Sequence, residues 1–131
     1  MEKPRIRVVV AEIERHGCFL ITQRREQAVM PLLWEFPGGK VQSGESDQQA
    51  LVRALRERLG VELVIEELTL LSEYEYDDYV VILASYRGAV LGEPQNLQVR
   101  DHRWVSPDGF EQYTFPGADQ ATVDALLQGP R

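Results

Sequence analysis

At 131 residues the chain suits one domain, 1–131, around one core, and 44% hydrophobic with 27% charged residues fits an ordinary soluble globular protein. The formal net charge of −7 argues against long DNA or RNA as a partner, because general nucleic-acid binders are basic. A lone cysteine, Cys18, makes no internal disulfide and implies a reducing, cytoplasmic setting, and the apolar run Val8 to Ala11 is too short for a signal peptide or a membrane span.

Residues 5–13, RIRVVVAEI, are β-branched and partly alternating, which predicts a strand. A turn over 14–17 and the apolar CFLITQR after it predict a hairpin. A loop is expected over 25–34, broken by Pro31, and a turn at EFPGG. The strongest helix signal covers 46–59. Ser46 is a good N-cap, Gln49 completes a capping box and Asp47 suits the positive helix end. Leu51, Leu55 and Leu59 recur at i, i+4 and i+8 and should face the core, with Gly60 at the C′ position. Residues 61–64, 68–76 and 79–86 read as strands, and VVILA in the last predicts a central, buried one. A turn at GAVLGEP, a short strand at RWVS and a closing helix over 116–128 follow. The order, roughly β-β-α-β-β-β-α, predicts an α/β (α+β) architecture with a mixed β-sheet between two helices.

The chemistry concentrates in GGKVQSGESDQQALVRALRERLGV, residues 38–61. Glycines let a backbone come close to a phosphate or a metal, although PGGK alone is most simply a turn. Positions 53 and 57 are i, i+4, as are 54 and 58, so 54, 57 and 58 are expected together on one side of the helix, away from most of the Leu stripe. Three carboxylates there, with oxygens of the preceding turn, would hold a hard divalent cation. The chain supplies Ala54, Glu57 and Arg58. Arg53 can reach Glu57 or Glu45, and an exposed face of Arg–Glu pairs, each worth ~0.3–0.5 kcal/mol, is the plainer alternative. His16 is expected in a solvated turn. His102 is expected in a structural or solvent role, with proton transfer as the alternative. Tyr74, Tyr76 and Tyr79 fit alternating burial, or the wall of a base pocket.

This stretch resembles the Nudix box, Gly-x5-Glu-x7-Arg-Glu-U-x-Glu-Glu-x-Gly-U, with U a bulky aliphatic residue. It matches at Gly39, Glu45, Arg53, Leu55, Glu57, Gly60 and Val61, and departs at Ala54 and Arg58, both normally Glu. ITQRR, WEFPGGK, EYEY, GEP, Trp-Val-Ser at 104–106 and FPGADQATVDALL extend the likeness to the MutT-type branch over nearly the whole chain. The resemblance implies a Nudix-type α/β/α sandwich and a nucleoside triphosphate pyrophosphohydrolase for normal or oxidised nucleotides, with Mg²⁺ or Mn²⁺ as cofactor when active. Glu57, Glu45 and Arg53 become the catalytic set, and Glu57 and the Gly38 carbonyl the metal ligands. Arg24, Glu35 and Asp119 fall at nucleotide-binding positions. Asp119 stands where the branch has Asn, and an ionised Asp offers acceptors only, which suits an exocyclic amine. Gln98 stands where the branch has a Glu, with Asp101 the nearest acid. Losing one positioned base costs ~10²–10⁴-fold in rate. Three expectations follow. The first is a weakly active hydrolase. The second is a sensor for a nucleoside triphosphate or another nucleoside diphosphate-linked molecule, reporting to a protein partner. The third is a purely structural interaction protein. In the sensor, Arg58 with Lys40 and Arg24 would hold a diphosphate without Mg²⁺; the alternative is that Arg58 pairs with Glu57 or Glu62 on the surface.

Overall fold

The computed structural model describes residues 2–129. Strand β1 (Arg5–Arg15) turns into β2 (Cys18–Gln23) through His16 (φ 53°) and Gly17 (φ 80°). Two successive left-handed residues fit a two-residue type I′ hairpin, so β1 runs to Arg15 rather than stopping before a four-residue turn. Two short strands, β3 (Trp34–Glu35) and β4 (Gly38–Lys40), replace the turn expected at EFPGG. Helix α1 (Asp47–Leu59) carries the expected capping box, in which Gln49 N–H donates to Ser46 Oγ at 3.1 Å and Ser46 N–H to Gln49 Oε1 at 2.9 Å. It ends on Gly60 in the left-handed region (φ 68°).

One strand, β5 (Glu62–Glu75), covers the two expected there, because bulges between Ile65 and Glu67 and between Leu68 and Leu70 absorb the break in alternation. Strand β6 (Val80–Leu91) continues through the expected turn at GAVLGEP as far as Leu91. Strand β7 (Asp101–Val105) follows, then 3₁₀ turns over Pro107–Gln112 and Gly117–Asp119, and a closing helix α2 (Gln120–Leu127) shorter than expected.

The sheet is mixed. β1 runs parallel to β6 from Arg5–Val80 to Ile13–Gly88, and β6 lies between β1 and the edge strand β5, as its apolar run predicted. On its other side β1 takes two antiparallel partners in turn, β4 at Val8–Val10 and β2 at Glu14 and Arg15. β2 carries both β3 and β7. Strand alternation splits the core in two. Val9, Ala11 and Ile13 pack with Leu51, Leu55 and Leu59 beneath α1, while Val10 packs on the opposite side with Phe36, Phe110, Val123 and Leu126. Ala54 is also fully buried, so position 54 belongs to the inner face of α1 and not to an outer corner shared with Glu57. No helix among the described residues is long and apolar enough to cross a membrane.

The β1–β4 pairing brings two backbones together at Gly38, where an added Cβ would stand 1.9 Å from the Val9 carbonyl oxygen. At Gly39 it would stand 3.3 Å from Arg58 Nη2, the end of a side chain that can move. Gly38→Ala is therefore expected to cost about 3 kcal/mol, and Gly39→Ala less than about 1 kcal/mol. Urea unfolding of the two variants checks the difference.

Candidate functional site

The loop from β4 to α1 is fixed by one guanidinium. Arg53 Nε donates to Glu45 Oε2 at 2.6 Å, and its Nη2 donates to Glu45 Oε1 and to the Lys40 carbonyl, each at 3.0 Å. Its Nη1 donates to Glu57 Oε2 at 3.3 Å. Glu45 also accepts the Gln42 N–H at 2.9 Å. The Arg53 hydrogen bonds first, and the Gln42 N–H second, hold the Glu45 carboxyl below the usual carboxylate range. Glu45 is thus a staple and a poor proton acceptor. Glu57 has its side chain half exposed and turned toward Arg53.

Ala54 and Arg58, one turn apart, face Gly39 instead. There Arg58 borders a cleft of about 410 Å³ lined also by Arg24, Arg25, Glu35, Gly39, Lys40, Tyr79 and Gln98, with apolar walls that include Ile6, Val8, Val81 and Val99. Arg24 Nε donates to Glu35 Oε1 at 3.0 Å, and Arg58 Nη1 lies 3.8 Å from Glu35 Oε2. Arg58 therefore does not make the surface pair with Glu57 or Glu62; Arg56 takes Glu62, through two bonds of 2.8 Å. Four cations against one carboxylate give this cleft a positive balance suited to an anion, beside an apolar wall able to meet a ring. A second concavity of about 420 Å³, lined by Glu12, Glu14 and Arg87 among others, has no comparable excess of cations.

Asp119 sits at the N-cap position of α2, but its side chain does not cap the helix. It accepts the Phe36 N–H at 3.4 Å and is 4% exposed. Burial, then the charge of Glu35, pushes its carboxyl up to about 8. At neutral pH the group keeps its proton and presents one donor and one acceptor, not the two acceptors expected of an ionised Asp. The Tyr76 hydroxyl accepts the Ala118 N–H at 2.9 Å and so steadies the turn that carries it.

The structure thus gathers Arg24, Glu35, Lys40 and Arg58 at one cleft and leaves Glu45, Arg53 and Glu57 on its outer flank. Gln98 lines the cleft, with its N–H on the Arg58 carbonyl at 3.1 Å. Asp101 faces Arg103 at 3.1 Å, and His102 Nδ1 is 2.6 Å from Asn96 Oδ1. His16 is exposed in its turn. Among the described residues no three His, Cys, Asp or Glu side chains come together as a metal site. The donors that remain do not fit the divalent ion the box resemblance implies. Glu45 and Glu57 are both engaged by Arg53, and a guanidinium stands under Gly39. Sequence reasoning missed Arg25 and singled out Tyr79 only loosely. The signal for Arg25 was its place beside Arg24, at the end of a strand.

The cationic cleft thus lies on a mixed sheet held between two helices. The NUDIX domain model matches residues 8–125, and the chain belongs to the NUDIX family. It is 38% identical over 125 residues, 93% of this chain and 91% of the relative, to the CTP pyrophosphohydrolase of Escherichia coli strain K12. It is 32% identical over 129 residues, 97% of this chain and 95% of the relative, to the 8-oxo-dGTP diphosphatase of Haemophilus influenzae. Among solved structures, the MutT protein of Methanosarcina mazei Go1 aligns with a TM-score of 0.86 at 26% identity, covering 98% of this chain and 96% of that one. The E. coli ORF135 protein aligns with a TM-score of 0.83 at 36% identity, covering 96% and 91%.

Asp119 also sets a pH dependence of stability. Its folded pKa lies above its unfolded value, so the folded chain holds a proton that the unfolded chain has lost. This contribution is complete below about pH 4 and is lost as pH rises to about 8. Asp119→Asn is expected to remove that slope. Urea midpoints at pH 5 and pH 8 should show the variant gaining on the parent at the higher pH.

Proposed function

We propose that the chain binds a nucleoside triphosphate in this cleft and turns it over only weakly. The observation that carries this reading is the division of charge: four cations line the cleft, while Glu57 and Glu45 are held outside it by Arg53. The names of the relatives, a CTP pyrophosphohydrolase and an 8-oxo-dGTP diphosphatase, support a nucleoside triphosphate as ligand and release of pyrophosphate as the reaction. That reaction needs an activated water and neutralised phosphoryl charge. The cations supply the second requirement. For the first, the cleft offers Glu35, whose carboxylate is already bound by Arg24 and faces Arg58.

Asp119 is 4% exposed and is not among the residues that line the cleft, so the arrangement assigns it no direct contact with a base. Binding with no turnover is the limiting case, and it would make the chain a nucleotide sensor.

The test is pyrophosphate release from CTP and 8-oxo-dGTP with Mg²⁺ or Mn²⁺. The double variant Ala54→Glu/Arg58→Glu, which restores the box, is expected to exceed the parent by ~10²-fold or more, and Glu57→Gln to change the parent little. A parent as fast as the restored variant, and silenced by Glu57→Gln, would show a working catalytic site and overturn the weak-turnover reading.

A further inference from the structure

We propose that the Arg58 guanidinium stands in for a metal ion, so that Arg58, Lys40 and Arg25 hold the phosphates of the nucleotide with no divalent cation. The inference rests on the nucleotide reading above and adds what neutralises the phosphates.

The pattern of ion pairs points to it. The chain is acidic, with 21 Asp and Glu against 14 Lys and Arg. Lys3, Arg5, Arg7, Arg15, Arg24, Arg53, Arg56, Arg87, Arg100 and Arg103 each hold a carboxylate at 3.1 Å or closer. Among the described residues the exceptions are Arg25 and Lys40, which hold none, and Arg58, whose one ionic partner is Glu35 at 3.8 Å. That distance is too long for a hydrogen bond, and Glu35 is already the close partner of Arg24. All three exceptions line the same cleft. Where carboxylates are in excess, three cations left without a close partner around one concavity form a site built for an anion brought from outside.

Local packing explains how Arg58 comes to be there. An added Cβ on Gly39 would stand 3.3 Å from Arg58 Nη2 and 3.4 Å from the Ala54 methyl. The small residues at 39 and 54 leave room for the guanidinium, and the methyl of Ala54 offers it no charge. A planar guanidinium presents several donors in a fork that matches phosphate oxygens. A divalent cation brought against it would meet like charge.

The experiment is calorimetric titration of the full chain with α,β-methylene-CTP and α,β-methylene-dGTP, in EDTA and in Mg²⁺. The parent is expected to bind at least one of them with an affinity that EDTA changes by less than about threefold. Arg58→Gln is expected to weaken binding in EDTA by about 10–100-fold, the loss typical of a charge-assisted bond. Arg56→Gln, on the outer face of the same helix, is expected to leave affinity unchanged. The Arg58 carbonyl holds the Leu97 and Gln98 N–H groups, a role the substitution leaves in place. A salt series on the parent gives a second reading that needs no variant: affinity in EDTA should fall steeply with added KCl. Binding by the parent that collapses in EDTA, a folded Arg58→Gln that binds as tightly as the parent, or indifference to KCl would each overturn metal-free recognition while leaving nucleotide binding intact. No binding of either analogue in either buffer would remove the nucleotide reading itself.

Discussion

Everything at the site depends on the grip of Arg53 on Glu45 and on the Lys40 carbonyl. Those bonds tie the loop after β4 to the middle of α1, and α1 is itself seated by three fully buried leucines. These contacts set the rotation of the helix and the position of the loop above it. Gly39 lies over positions 54 and 58, and the side chain at 58 becomes part of the wall of the cleft. The same grip decides the fate of the acids. Glu45 spends both oxygens on Arg53 and accepts the Gln42 N–H as well, while Glu57 leans outward to the same guanidinium. Acids that survive in a motif can thus survive for architecture, and their presence alone is no sign of chemistry.

The distribution of charge then separates binding from catalysis. An acidic surface repels a nucleotide at long range, and a concentrated group of cations reverses the field locally. On the proposed reading those cations would neutralise phosphate oxygens whether or not a water is activated. Weak turnover and good binding are therefore compatible outcomes of one geometry, and membership of a family of hydrolases does not decide between them.

Local signals were legible where the physics is local. The capping box at Ser46, the Leu stripe and the hairpin at His16–Gly17 are written within a few residues of themselves. β3 and β4 were not, because strands of two and three residues exist only through their partners on β2 and β1. Gly88 looked like a turn residue and is instead inside β6, where an added Cβ would come within 2.8 Å of the Val64 carbonyl on the neighbouring strand. At the site, spacing along α1 placed Arg53 with both Glu45 and Glu57. It could not show that Ala54 lies on the buried side, nor that Arg58 reaches toward Glu35, since both depend on where β4 docks. The proton on Asp119 follows from burial and a neighbouring charge, neither of which a sequence displays.

On the proposed reading a guanidinium and its neighbours take the place of the metal. The most direct measurement is titration of the nucleotide-free chain with Mn²⁺, followed by electron paramagnetic resonance of the free ion. With Arg58 at the cleft and Glu45 and Glu57 engaged by Arg53, the parent is expected to show no stoichiometric Mn²⁺ site, and the Ala54→Glu/Arg58→Glu variant to gain one. One Mn²⁺ bound per parent chain, and lost in Glu57→Gln, would contradict that reading.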